Sequence, residues 1–158
     1  LKLNHHQERM YFMTFTAEFK EIANRTNQKV EDVVKLVAKD LFTLVINGTP
    51  VGNPQLWKSS PPKDYIAGLL KGNWQTTIGS PSVSKIATKD IDGKMTTKKM
   101  GSVVDKWDGT GFIYFTNNLP YAARVEYGAH STQAPSGMVR VALSTVEQSV
   151  NKAINKVA

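Results

Sequence analysis

Apolar positions set most of the local structure along this chain. Phe15, Phe19 and Ile22 recur at helical spacing and predict a short amphipathic helix over 16–25. Residues 24–28 are polar and interrupt the pattern. Val30, Val34, Val37, Leu41 and Leu44 then step by four, three, four and three. That stripe lies on one side of a helix over 27–46, with Glu31, Asp32, Lys35 and Lys39 on other faces. Asn47-Gly48 is a C-terminal stop, and Pro50 forbids continuation.

The stretch 49–63 holds Pro50, Pro54, Pro61 and Pro62 and reads as an extended, stiff loop. Trp57 within it is too large an apolar group to sit in water without a role. It either caps the edge of the core or anchors a neighbouring subunit. Residues 74–78 read as a strand ended by Gly79-Ser80-Pro81. Residues 83–91 read as a second strand, diluted by Lys85, Lys89 and Asp90, with Asp92-Gly93 as a hairpin turn. Met100, Val103, Val104 and Trp107 fall at i, i+3, i+4 and i+7 and predict a helix over 96–107. Residues 112–116 are five strand formers without a breaker. Pro120 opens a short helix over 121–127, closed by Gly128. From Met138 onward, Val139, Leu143, Val146, Val150, Ala153 and Val157 trace one seam of a continuous C-terminal helix. This order predicts an α+β fold: a small, largely antiparallel sheet with N-terminal and C-terminal helices packed on it.

With 158 residues, 41% hydrophobic and 21% charged, the chain is expected to bury a core in one domain. That domain is assigned to 14–158. Residues 1–13 begin at Leu1, with Met10 and Met13 just downstream, and are assigned to an N-terminal arm or a non-native start. No apolar run approaches the ~20 residues of a membrane-spanning helix. The absence of cysteine excludes thiol nucleophiles and cysteine-ligated metal sites. A net charge of +7 admits contact with a polyanion. The excess is scattered, however: six Lys against four Asp over 81–111 leave only 6 − 4 = +2 there.

No phosphate-binding loop, nucleophile elbow or H-E-x-x-H motif occurs. His130 is the one histidine beyond the first six residues, and its neighbours Ser131 and Thr132 form no catalytic geometry with it. Asp90-Ile91-Asp92-Gly93 resembles the start of a calcium loop, but Gly101 stands where the bidentate glutamate belongs. No enzymatic activity, catalytic residue, cofactor or metal is therefore expected. Aromatics interleaved with basic residues, as nucleic-acid readers carry, are missing as well. Pro and Gly instead punctuate two long segments, 49–79 and 117–137. Long loops in a domain without catalytic apparatus point to contact with something large.

Four stretches then converge. They are Thr49-Pro50-Val51-Gly52; Gly68-Leu69-Leu70-Lys71-Gly72-Asn73-Trp74; Asn117-Asn118-Leu119-Pro120-Tyr121-Ala122 with Val125-Glu126-Tyr127-Gly128; and Ser131-Thr132-Gln133-Ala134-Pro135-Ser136-Gly137-Met138-Val139-Arg140. In order and spacing the set resembles the neck or tail-completion proteins of long-tailed bacteriophages, also described as head–tail joining or minor tail proteins. Two places depart from the common pattern. A Pro-rich excursion over 53–65 replaces a short Asp-Thr-Gly-Arg-type turn, and Ala129-His130 stands where an aromatic often precedes the fourth stretch.

The resemblance implies a structural virion protein that forms a homo-oligomeric, hexameric ring at the head–tail junction. Its neighbours would be a head-closure or connector protein and a tail terminator or tail tube protein. The ring would line or surround the DNA exit channel and touch passing double-stranded DNA nonspecifically. No reaction, cofactor, metal or membrane comes with the family. The alternatives are a tail terminator or other tail ring protein, and a nonspecific DNA-binding protein. A ring needs one patch on a subunit to meet a different patch on the next. The stiff loops and charged side chains near them supply the interface candidates Trp57, Pro61, Pro62, Arg124, Glu126 and Arg140. Tyr121 and Tyr127 are expected to pack in the core or against loops. A mean hydropathy of −0.31 and no long exposed apolar segment predict an isolated subunit that stays monomeric until it meets its partner.

Overall fold

A computed structural model of the chain describes residues 5–56, 60, 65–128 and 131–158, without the side chains of 5–23 and Leu56. The fold is α+β. Its elements are α1 (His5–Gly48), a 3₁₀ turn (Pro54–Leu56), α2 (Leu69–Gly72), β1 (Trp74–Ile78), α3 (Lys94–Val104), β2 (Ile113–Asn117), α4 (Ala122–Tyr127), α5 (Val139–Leu143) and α6 (Val146–Val157).

The expected pair of N-terminal helices is a single helix of 44 residues, which also passes through the 13/14 boundary without a break. Residues 24–28 interrupt the apolar spacing but contain neither Gly nor Pro, so nothing stops the backbone ladder. Gly48 closes α1, and the buried Thr49 hydroxyl donates to the Val45 carbonyl at 2.6 Å.

β1 and β2 pair antiparallel, from Trp74 opposite Asn117 to Ile78 opposite Ile113. They form the one sheet among the described residues. Phe115 is held between two rings, Phe42 of α1 at 4.3 Å and Trp74 at 4.7 Å between centroids, both nearly parallel. That stack fixes the sheet on α1. Around it Val45, Ile46, Leu70, Met100, Val104 and Met138 close the core. Ile46 and Val104 are fully buried, each worth roughly 1.5–3 kcal/mol by apolar transfer.

The expected strand over 83–91 does not form, and Asp92-Gly93 is not a hairpin turn. Residues 81–90 run beside β1 without a backbone ladder. Side-chain amides hold them: Asn73 to the Ile86 carbonyl, Gln75 to Ser84, and Asn118 to Ser82 and Ser84. Asn73 also accepts the Ile86 N–H. Asp92-Gly93 instead opens α3. The buried Asp90 carboxylate accepts the N–H groups of Gly93 and Thr96 at 3.0 and 2.7 Å and the Thr96 hydroxyl at 2.6 Å. These are orphan donors of a helix N-terminus, which is why an acidic residue sits there.

The C-terminal seam also differs from expectation. Ser144 and Thr145 donate their hydroxyls to the carbonyls of Val141 and Ala142, three residues back, and split the helix into α5 and α6. The break turns the packed face. Ala142, Ser149 and Ala153 are buried, whereas Leu143 and Val146 are exposed. Small residues let α6 approach α1 closely, and Ser149 donates to Asp40 at 2.6 Å.

Candidate assembly surface

The four stretches named above lie far apart in sequence, yet hydrogen bonds join them. The Trp74 indole N–H donates to the Thr49 hydroxyl at 2.8 Å, joining the first stretch to the second. The Asn117 amide donates to the Leu70 carbonyl at 2.8 Å, joining the second to the third. Gln133 pairs with the Val51 backbone in both directions, accepting its N–H at 3.2 Å and donating to its carbonyl at 3.1 Å. That contact closes 82 residues of chain. The side-chain amide copies the pairing of a strand backbone, so Gln suits this position and a shorter residue would not reach.

The tightest part of the set is the seat of Glu126. This carboxylate is buried at the end of α4. It accepts the N–H groups of Met138, Val139 and Arg140 at 2.6, 2.9 and 3.0 Å, and the Arg140 Nε at 3.3 Å. The Arg140 Nη2 also donates to the Glu126 carbonyl, and the guanidinium lies 5.2 Å over the Tyr127 ring. Burial pushes the Glu126 carboxyl up. The three backbone donors and Arg140 outweigh burial and hold it below the ordinary carboxylate value. Gly137 makes the approach possible. Its φ is +86°, and a Cβ there would fall 2.6 Å from the Glu126 carbonyl.

The six interface candidates therefore separate. Glu126 is buried and committed to its own subunit. Arg140 shares that seat but keeps its side chain half exposed. Arg124 is exposed on α4 and makes no ion pair with a described residue. Trp57, Pro61 and Pro62 lie outside the described residues, as does His130. Tyr127 does not pack as expected. It is 72% exposed, because Arg140 covers one face and leaves the other in water. Tyr121 is also exposed, and Phe112 stands outside β2 in solvent.

Two concavities open on the described surface. A groove of about 650 Å³ lies between β1 and α3, lined by Trp74, Thr76, Ile86, Met95, Lys98 and Lys99 among others. Its described lining contains no carboxylate and no histidine, so it supplies no acid–base pair. A smaller hollow of about 270 Å³ between α1 and α6 holds Asp40 with Lys39, Lys152 and Lys156. The Ser149 hydroxyl, against the opposing effect of burial and with help from Lys152, keeps the Asp40 carboxyl below its ordinary value. Asp40 is thus poised to stay ionised and hold α6. Among the described residues no group of three or more His, Asp or Glu could hold a metal, and no helix is long and apolar enough to cross a membrane.

No family model, curated protein or solved structure matches the chain.

Proposed function

We propose that this protein is a structural ring subunit of a long-tailed bacteriophage, seated at the head–tail junction and acting without catalysis. It would couple the head-closure or connector ring to the tail terminator or tail tube and keep the channel open for DNA. One observation carries the reading. The four stretches that give the sequence its resemblance to neck proteins are bonded to one another, through Trp74–Thr49, Asn117–Leu70, Gln133–Val51 and Glu126–Arg140. Their order and spacing therefore follow from one interlocked structure, as expected when a family shares a fold and not just a composition. The interlock also ties four distant segments to one another, which suits a subunit that must transmit force between neighbours. Arg124, Arg140, Thr132, Pro135 and Ser136 are exposed and would serve as contacts for neighbours.

The test is an electron-microscopy map of the virion that encodes this chain, together with deletion of its gene. The expected result is a ring of this fold at the neck, and full heads and finished tails left unjoined in the deletion. Density for the chain at the tail tip or in the capsid shell would overturn the reading, as would normal joining without the gene. A nonspecific DNA-binding protein is the rival from another class. It would show strong duplex affinity as an isolated subunit, falling steeply with salt.

A further inference from the structure

The outer side of α1 is only partly covered by its own fold, with Val33, Val37 and Leu41 half-buried and Val30, Val34 and Leu44 exposed. Counted at about 100° per residue, Ala38, Phe42, Val45 and Ile46 share the sector toward the core, and Asp40 marks the sector taken by α6. The remaining sector carries Val30, Val33, Val34, Val37, Leu41 and Leu44, with no charged residue between 30 and 44. Val30 is 58% exposed and Leu44 41%; Val34 is exposed too.

α6 extends this surface. Ala142 of α5 packs into the core cluster with Val45 and Ile46, while Ser149 and Lys152 reach back to Asp40. The C-terminal helices thus run antiparallel to α1. With Ser149 against α1, the register puts Val146, Val150, Ile154 and Val157 on the side next to the α1 strip. Val146 and Ile154 are exposed.

We propose that this strip is an interface between copies of the chain, in which a second copy lays its α1 lengthwise against it. Three observations select that occupant. First, shape: the strip is one helix wide and keeps the 3–4 spacing of a helix–helix seam. Second, area: residues 30–44 of α1 with α6 offer roughly 400 Å², from ~1.5 Å per residue and ~10 Å between helix axes. A stable contact needs about 800 Å² per partner. The rest of α1, running on to His5, adds roughly 37 Å of helix, and by register positions 15 and 19 share the sector of the strip. The missing area is thus supplied when one α1 lies along another. Third, charge: the chain is +7, yet the strip is neutral, so like-charged copies meet there without repulsion, whereas DNA finds no cation. The strip also removes one of the two grounds for expecting an isolated monomer, the lack of a long exposed apolar segment; the mean hydropathy of −0.31 is unaffected.

This inference rests on the reading of the chain as an assembly subunit. It fails separately from that reading, because virion position and self-association are measured independently. The test is sedimentation velocity of the full chain at micromolar concentration, at low and high salt. Wild type is expected to self-associate and to hold together in high salt. Val34→Glu with Leu44→Glu is expected to weaken association at least about tenfold, with an unchanged circular-dichroism spectrum. Val34→Ser with Leu44→Ser gives a smaller loss and serves if the double glutamate does not fold, while Val34→Leu retains association. A monomeric wild type, dissociation by salt alone, or association untouched by both double variants would overturn the proposal.

Discussion

The seat of Glu126 and the outer strip of α1 are opposite solutions to the same accounting of surface. Around Glu126 every strong group has a partner, and each partner belongs to the same subunit. Along α1 six apolar side chains lie in one sector, three of them exposed, and the fold covers them incompletely. A buried carboxylate without its donors would cost several kcal/mol, so the seat cannot wait for a neighbour to complete it. An exposed valine costs far less, so the strip can wait. Stability resides in the first region, and freedom to associate in the second.

Substitutions should separate the two regions sharply. The largest effect is expected from Phe115→Ala, which removes the ring between Phe42 and Trp74 and leaves a cavity, a loss of about 4 kcal/mol in urea unfolding. Glu126→Ala should cost about 3 kcal/mol, because three backbone N–H groups and Arg140 lose their acceptor together. Gly137→Ala should cost about 2 kcal/mol, since it forces a side chain into a left-handed backbone against the Glu126 carbonyl. At the other end, Val34→Glu should change unfolding free energy by no more than about 0.5 kcal/mol while weakening self-association. A large stability loss from Val34→Glu would erase the contrast.

Acid should act on the first region and spare the second. Glu126 has a native pKa below the ordinary carboxylate value, so the folded state holds its proton less tightly than the unfolded chain does. Its contribution is complete above that value and is lost as pH falls through the lower native pKa. Asp40 adds to stability in the same direction, through Ser149 and Lys152. The unfolding free energy of Glu126→Gln, measured from pH 7 down to pH 2, should therefore fall less steeply than that of wild type. An equal slope would show that the seat contributes nothing to acid sensitivity.

Much of the fold was legible in the sequence where the local pattern and the packing agreed. β1, β2, α3 and α4 fall within three residues of their expected spans, because strand formers, turn residues and a Met-Val-Trp stripe all point the same way. Expectation failed where polarity stood in for a backbone breaker, as at residues 24–28, and at the strand expected over 83–91, where side-chain amides and not a backbone ladder hold the segment beside β1. It failed again at Ser144 and Thr145, whose hydroxyls compete for helix carbonyls. Glu126 was legible as a charged residue of interest. Its burial was not, because that depends on Gly137 bringing a second segment within reach.

The sequence by itself determined the class of fold, the approximate spans of β1, β2, α3 and α4, the lack of thiol chemistry and the apolar spacing along α1, since each follows from residue type and local period. Only the tertiary structure decided which side of α1 faces the core. Periodicity reports that a helix has an apolar side, but Phe42, Val45 and Ile46 won the interior because Phe42 stacks on Phe115 of the distant β2. The regular valine stripe was thereby left outside, where a neighbour can use it.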